Sequence, residues 1–265
     1  MLTCLLFAVV LSLAGCSSEA MKPGDLSLVQ TFSDHPRAGN VYLLRGFIGI
    51  WSTGIDRLGD EINKSGVRAN VYRCEQWREL TDTILATYKD QKTFEPLVIV
   101  GHSWGADHAL DLARELEAAH IPIDLIVTLD PVTPPEVPGN VKWCHNIYQP
   151  HGIMDQIPFF RGVALKASAG NPGLLENLNI RGERTDLLEP GTDHFNVEKN
   201  EKIHQDVVKQ IQKICPPRDE WVRLHPSYKP PGDRAQMAGA KRPGVPSAEP
   251  SHQASRVKAG VLGEP

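Results

Sequence analysis

Pro96-Leu97-Val98-Ile99-Val100-Gly101-His102-Ser103-Trp104-Gly105-Ala106 is the stretch on which the fold turns. Its apolar run, 97–100, is mostly β-branched and too short for a helix, so it reads as a strand buried on both faces. The run stops at a glycine. From there apolar residues return at helical spacing, at Ala106, Ala109, Leu110, Ala113 and Leu116. A strand that gives way to a helix so abruptly leaves Ser103 at the apex of a sharp turn. Gly101 and Gly105 take away side chains that would collide with the neighbouring strand and helix. The serine itself is expected to sit in a strained backbone conformation.

Working outward, the same alternation repeats. Residues 40–49 read as a buried strand running into a glycine-containing loop, Arg45-Gly46-Phe47. Ser52 or Thr53 is placed to cap a helix whose Ile55, Leu58 and Ile62 share one face and which ends at Gly66. A strand follows at 67–72, then a helix carrying Trp77, Leu80, Ile84 and Tyr88. After the central stretch come strands at 123–129, stopped by Asp130-Pro131, and at 141–148. Between 149 and 196 the pattern weakens, with room for one more strand. A last helix holds Ile203, Val207, Ile211 and Ile214 on one face. Strands alternating with amphipathic helices across short loops predict a mostly parallel sheet covered on both faces, with no large cap domain.

The pattern Gly-x-Ser-x-Gly between such a strand and helix resembles the nucleophile elbow of the α/β-hydrolases, and residues 42–213 resemble a compact member of the lipase, esterase and thioesterase kind. The resemblance implies acyl transfer to water through an acyl-enzyme on Ser103, without metal or organic cofactor. It also implies a base and an acid in the chain order serine, carboxylate, histidine. His145, His151, His194 and His204 all follow the serine. His194 lies in the turn-rich run Gly191-Thr192-Asp193-His194-Phe195-Asn196 before the last helix and is the choice for the base, because His145 falls inside a strand and His204 on a helix. For the acid, Asp130 ends a strand directly, as in pancreatic-type lipases, while Asp155, after the next strand, occupies the commoner family position. Asp130 is preferred and Asp155 stays as the alternative. Asp193 reads as a turn residue, and Glu183, Asp186 and Glu189 as loop charges. The oxyanion hole implied by the family draws one backbone N–H from Trp104 and one from Phe47. Arg45 stands where many members carry histidine, and is expected either to orient that loop or to meet an anionic substrate group. Phe159-Phe160 is read as core in preference to acyl pocket.

The ends of the chain have a different character. Residues 2–13 are apolar but too short to span a bilayer comfortably, and they lead into Leu13-Ala14-Gly15-Cys16. That sequence resembles the lipobox of bacterial lipoproteins, although the first residues carry no lysine or arginine. It implies a signal peptide over 1–15, acylation of Cys16, an exported protein anchored to the cell envelope, and a tether over 16–38 that includes an opening strand at 26–32. The hydrolase domain is expected over 39–215. From 216 to 265 the chain is rich in proline, glycine and alanine and is expected to be largely disordered, with Trp221 and Tyr228 packing back. Cys74, Cys144 and Cys215 remain as a disulfide pair plus one, or as buried thiols. At 265 residues and a net charge of −4 the chain suits one domain with tails and excludes nucleic acid as its main partner. A small-molecule or lipid ester is the expected substrate. The competing reading is a non-catalytic envelope protein that keeps the fold as a binding module.

Overall fold

The computed structural model describes residues 23–26, 29–47, 52–88, 94–150, 152, 157 and 161–228. Among the described residues six strands form one sheet: β1 (Asn40–Leu44), β2 (Arg68–Tyr72), β3 (Leu97–His102), β4 (Leu125–Leu129), β5 (Trp143–Tyr148) and β6 (Leu174–Asn179). Their order is β2-β1-β3-β4-β5-β6, and every pairing is parallel. Among the same residues five α-helices accompany them: α1 (Thr53–Lys64), α2 (Trp77–Tyr88), α3 (Trp104–Ala118), α4 (Glu201–Ile214) and α5 (Arg218–Leu224).

Side chains alternate along a strand, and that alternation divides the core in two. Tyr42, Leu44, Ile99 and Ile126 face α2 and α3, whose Leu80, Ile84, Leu110 and Leu116 are fully buried against them. Val41, Leu43, Val98, Val100 and Val127 face the opposite way, onto Ile55, Leu58 and Ile62 of α1 and Ile203, Val207 and Ile211 of α4. Each such side chain contributes about 1.5–3 kcal/mol on burial. Both faces are therefore covered, as the continuous apolar strands require. From β1 the chain steps to β2 at one edge, then returns to β3 on the other side of β1 and continues outward to β6. The crevice between the C-terminal ends of β1 and β3 is the topological switch point, where open α/β sheets bind their ligands.

The structure also fills in the regions where the sequence pattern is weakest. The sixth strand, β6, supplies the edge in the weakly patterned region. The described part of 26–32 contains no strand. After Pro216-Pro217 the chain forms α5 before Tyr228 packs back: Pro217 is the N-cap of α5, Arg218 pairs with the buried Glu95, and the Tyr228 hydroxyl donates to the same carboxylate at 2.7 Å. Glu95 also holds Arg68 at 2.7 Å and the Gly39 N–H at 3.1 Å. Those cations hold its carboxyl below the usual range against the opposing effect of burial. Cys74, Cys144 and Cys215 are buried free thiols. Among the described residues no helix is long and apolar enough to cross a membrane. The signal peptide, Cys16, Asp155, His151, Phe159-Phe160 and the chain beyond Tyr228 lie outside the described residues.

Candidate active site

Ser103 occupies the turn between β3 and α3 with φ 55° and ψ −125°, a conformation that L side chains seldom adopt. The turn is tied down at once: Ser103 N–H donates to Leu129 O at 2.9 Å, and Ala106 N–H donates to Ser103 O at 2.9 Å. The flanking glycines are needed for close approach. A Cβ on Gly101 would lie 2.4 Å from Gly105 O, and one on Gly105 would lie 2.3 Å from Arg45 O. The first lets the strand meet the helix, and the second lets the helix meet the end of β1.

Ser103 Oγ lies 3.0 Å from His194 Nε2. On the far side of the imidazole, Nδ1 lies 3.4 Å from Asp130 Oδ2, an ion-pair approach rather than a formed hydrogen bond. All three side chains are nearly or wholly buried. Asp130 follows β4 directly with φ 48°, so its carboxylate rises from the C-terminal edge of the sheet. Its Oδ1 accepts the Gln149 backbone N–H at 2.8 Å, and its Oδ2 accepts the Gln149 side-chain amide at 3.0 Å. Arg181 then donates through one nitrogen to Gln149 Oε1 at 2.8 Å and to Thr192 O at 2.7 Å. One guanidinium thus steadies both the donor of the acid and the loop of the histidine. Gly162 closes the acid's other side, where an added Cβ would lie 2.0 Å from Asp130 Oδ1. From α3, Asp107 accepts the N–H groups of Val132 and Thr133 at 2.9 and 2.8 Å and fixes the chain just beyond Asp130.

The loop after β1 lies against the serine: a Cβ on Gly46 would be 3.3 Å from Ser103 Cβ. The Phe47 and Trp104 rings meet at 4.5 Å, joining the two segments from which the oxyanion donors are expected. Arg45 meets Asp56 in the first turn of α1, with Nε 3.1 Å from Oδ1, a contact that ties the loop to that helix. Ser52 stands at the N-cap of α1 without capping it. Its hydroxyl instead accepts the Gly46 N–H at 3.0 Å and meets His102 Nδ1 at 2.9 Å.

Among the described residues, the two other candidate histidines have other partners. His145 bridges Glu176 and Asp206 at 3.0 Å each, and His204 lies 2.9 Å from Glu61. Asp193 is a turn residue, its Oδ1 accepting the Phe195 N–H at 2.8 Å. Sequence reasoning missed Gln149, Arg181, Gly162 and the Ser52–His102 pair, because each acts through a neighbour distant in sequence. The only local signal is that His102 stands inside the Gly-x-Ser-x-Gly pattern.

Close to the histidine loop lies Glu198, wholly buried, with neither carboxyl oxygen hydrogen-bonded. Burial pushes its carboxyl up to about 7, with Lys199 opposing. A raised acid holds its proton in the folded state while the unfolded chain releases it, so this contribution to stability is present at low pH and is lost as pH rises towards 7. Glu198→Gln is expected to gain up to about 3 kcal/mol over the wild type between pH 4.5 and pH 8. Urea unfolding at the two pH values tests this, and an unchanged difference counts against it.

No family model matches the sequence, and no curated protein does. Among solved structures, the chain is similar to Est1E from Butyrivibrio proteoclasticus, with 12% identity and a TM-score of 0.42 over 69% of this chain and 92% of that one. It is similar to an α/β serine hydrolase without lid from Xanthomonas campestris, with 12% identity and a TM-score of 0.41 over 71% and 87%. A cutinase-like protein from Cryptococcus sp. follows, with 12% identity and a TM-score of 0.36 over 64% and 91%. At these values the chemistry has to be read from the site's own atoms.

Proposed function

We propose that this chain, whose sheet order and strand–serine–helix turn are those of the α/β-hydrolase fold, is a serine hydrolase that cleaves carboxylic esters. The observation that carries the reading is the 3.0 Å approach of Ser103 Oγ to His194 Nε2, with the Asp130 carboxylate on the opposite ring nitrogen. A serine hydroxyl is a weak nucleophile until a base takes its proton. His194 Nε2 takes it as Oγ attacks the ester carbonyl carbon, and Asp130 steadies the imidazolium that forms. The carbonyl electron pair moves onto oxygen, where the N–H groups of Trp104 and Phe47 hold the negative charge. Collapse expels the alcohol, which receives the proton from His194, and leaves an acyl-enzyme. Water repeats the sequence, its proton going to His194 and then to the departing Ser103 Oγ. Phe47 and Phe195, about half exposed beside Trp104 and His194, offer apolar contact to an ester's acyl or alkyl group.

Labelling with a fluorophosphonate and hydrolysis of p-nitrophenyl esters of graded chain length test the proposal. Both are expected in the wild type and absent in Ser103→Ala. A folded wild type that neither labels nor hydrolyses supports the binding-module reading instead. Export and anchoring through an acylated Cys16 belong to the same proposal and rest on the residues leading into that cysteine. Incorporation of labelled palmitate that persists in Cys16→Ser is the result against it.

A further inference from the structure

We propose that His102 is a positioning residue for ester hydrolysis, its two ring nitrogens fixing the loop at Gly46 and the loop at His194 on either side of the serine. The inference rests on the reading of Ser103 and His194 as nucleophile and base. His102 ends β3 and is buried. Its Nε2 lies 3.0 Å from the main-chain oxygen of His194. A carbonyl can only accept, so Nε2 carries the hydrogen and Nδ1 is the bare nitrogen. The Ser52 hydroxyl, 2.9 Å away, must then donate to Nδ1, which leaves the Ser52 oxygen to accept the Gly46 N–H. Every donor and acceptor in this chain of bonds has one assignment, running from Gly46 through Ser52 and His102 to the backbone of His194.

The charge state supports that assignment. Burial, reinforced by the neighbouring His194, pulls the imidazole pKa down to about 4, so the ring is neutral at pH 7. A protonated ring would present a second N–H to Ser52 and force its hydroxyl to turn. His102 is buried, with its ring nitrogens taken up by Ser52 and the His194 carbonyl. It joins three segments whose spacing governs the reaction: the turn beneath Phe47, the serine beside it in sequence, and the histidine loop. A displacement of about 1 Å among such groups costs about 10²-fold in rate.

Two amide substitutions separate the two arms. In His102→Gln the side-chain amide reaches the Nε2 position and keeps a donor for His194 O. In His102→Asn it reaches only the Nδ1 position and keeps an acceptor for Ser52. Turnover of p-nitrophenyl butyrate by the full chain is expected to show kcat lowered about 10²-fold in His102→Asn, less in His102→Gln, and KM within about threefold in both. Adding Ser52→Ala is expected to change His102→Gln little, because the same arm is already cut, and to lower His102→Asn further. Wild-type kcat in both His102 variants overturns the positioning role, as does a rise in KM at constant kcat. Should both variants fail to fold, Ser52→Ala alone decides: it is expected to lower kcat, and wild-type kcat there overturns the proposal. A wild type that takes no fluorophosphonate at Ser103 overturns the reading of the serine and this inference with it. Ser103-dependent labelling with unaltered His102 variants overturns this inference alone.

Discussion

Asp130→Asn is expected to lower kcat/KM for ester hydrolysis by about 10⁴-fold while the protein stays folded. The size of the loss follows from what surrounds the carboxylate. Oδ1 faces a backbone N–H, and Oδ2 faces both the Gln149 amide and the imidazole. Every neighbour is a donor, so the NH2 of an asparagine has no acceptor to meet at either position. Its least costly place is towards His194, where the imidazole can move its hydrogen to Nε2 and offer Nδ1 as acceptor. That tautomer points an N–H at Ser103 Oγ, and the base becomes a donor. The magnitude comes from the serine-protease triad, in which the same substitution acts through the same tautomer. Kinetics with p-nitrophenyl esters at pH 7 give the result directly. If Asp130→Asn keeps activity within tenfold of the wild type and Asp155→Asn is severe, the acid is Asp155.

Gly105→Ala is expected to cost about 3 kcal/mol or more and to lower the melting temperature by about 10 °C. The added carbon would meet Arg45 O at 2.3 Å and Leu44 O at 2.5 Å. Both are main-chain atoms at the end of the central strand β1, so no side-chain rotation relieves the clash. The start of α3 has to move away from β1, and Trp104 moves with it, away from the loop that carries Phe47. Fluorophosphonate labelling should therefore slow even at temperatures where the variant remains folded. Thermal unfolding within a few degrees of the wild type would show that α3 can shift at little cost, contrary to this account.

The architecture was legible wherever burial on both faces left a local imprint. Strands β1, β3 and β4 are mostly apolar and wholly buried, and α1 to α4 repeat their apolar residues at helical spacing, so their existence and order follow from the residues alone. β6 left no such imprint. It is an edge strand reading Leu-Leu-Glu-Asn-Leu-Asn, and its polar side chains serve neighbours: Asn177 accepts from Asn146 at 2.7 Å, and Glu176 accepts from Trp143 and His145. α5 was hidden for another reason. Its seven residues bury no side chain fully, and Arg218 within it and Tyr228 beyond it are joined to Glu95, more than a hundred residues earlier.

The site divides in the same way. Ser103, Asp130 and His194, which the structure brings together, could be singled out because each marks a turn or a strand end, a feature written in neighbouring residues. The groups that orient them carry no local mark. Gln149 looks like the first residue of a loop, and Arg181 like one more loop cation. Ser52 resembles an ordinary N-cap, yet its hydroxyl is directed to Gly46 and His102. Their roles appear only when strand ends far apart in sequence come together at one edge of the sheet.

The positive φ angles carry a consequence for how such a chain changes over generations. Among the described residues only Ser103, His120 and Asp130 adopt them without being glycine. His120 lies just past the end of α3, where a left-handed residue commonly closes a helix. At Ser103 and Asp130 a glycine would relieve a backbone strain on the order of 1 kcal/mol, although aspartate tolerates the conformation better than most residues. At Ser103 stability alone would therefore favour glycine, whereas at Asp130 the gain is offset because Gln149 would lose the acceptor of its N–H and of its side-chain amide. On the function proposed above, a lineage released from hydrolysis would be free to drift at Ser103, losing its nucleophile well before its sheet.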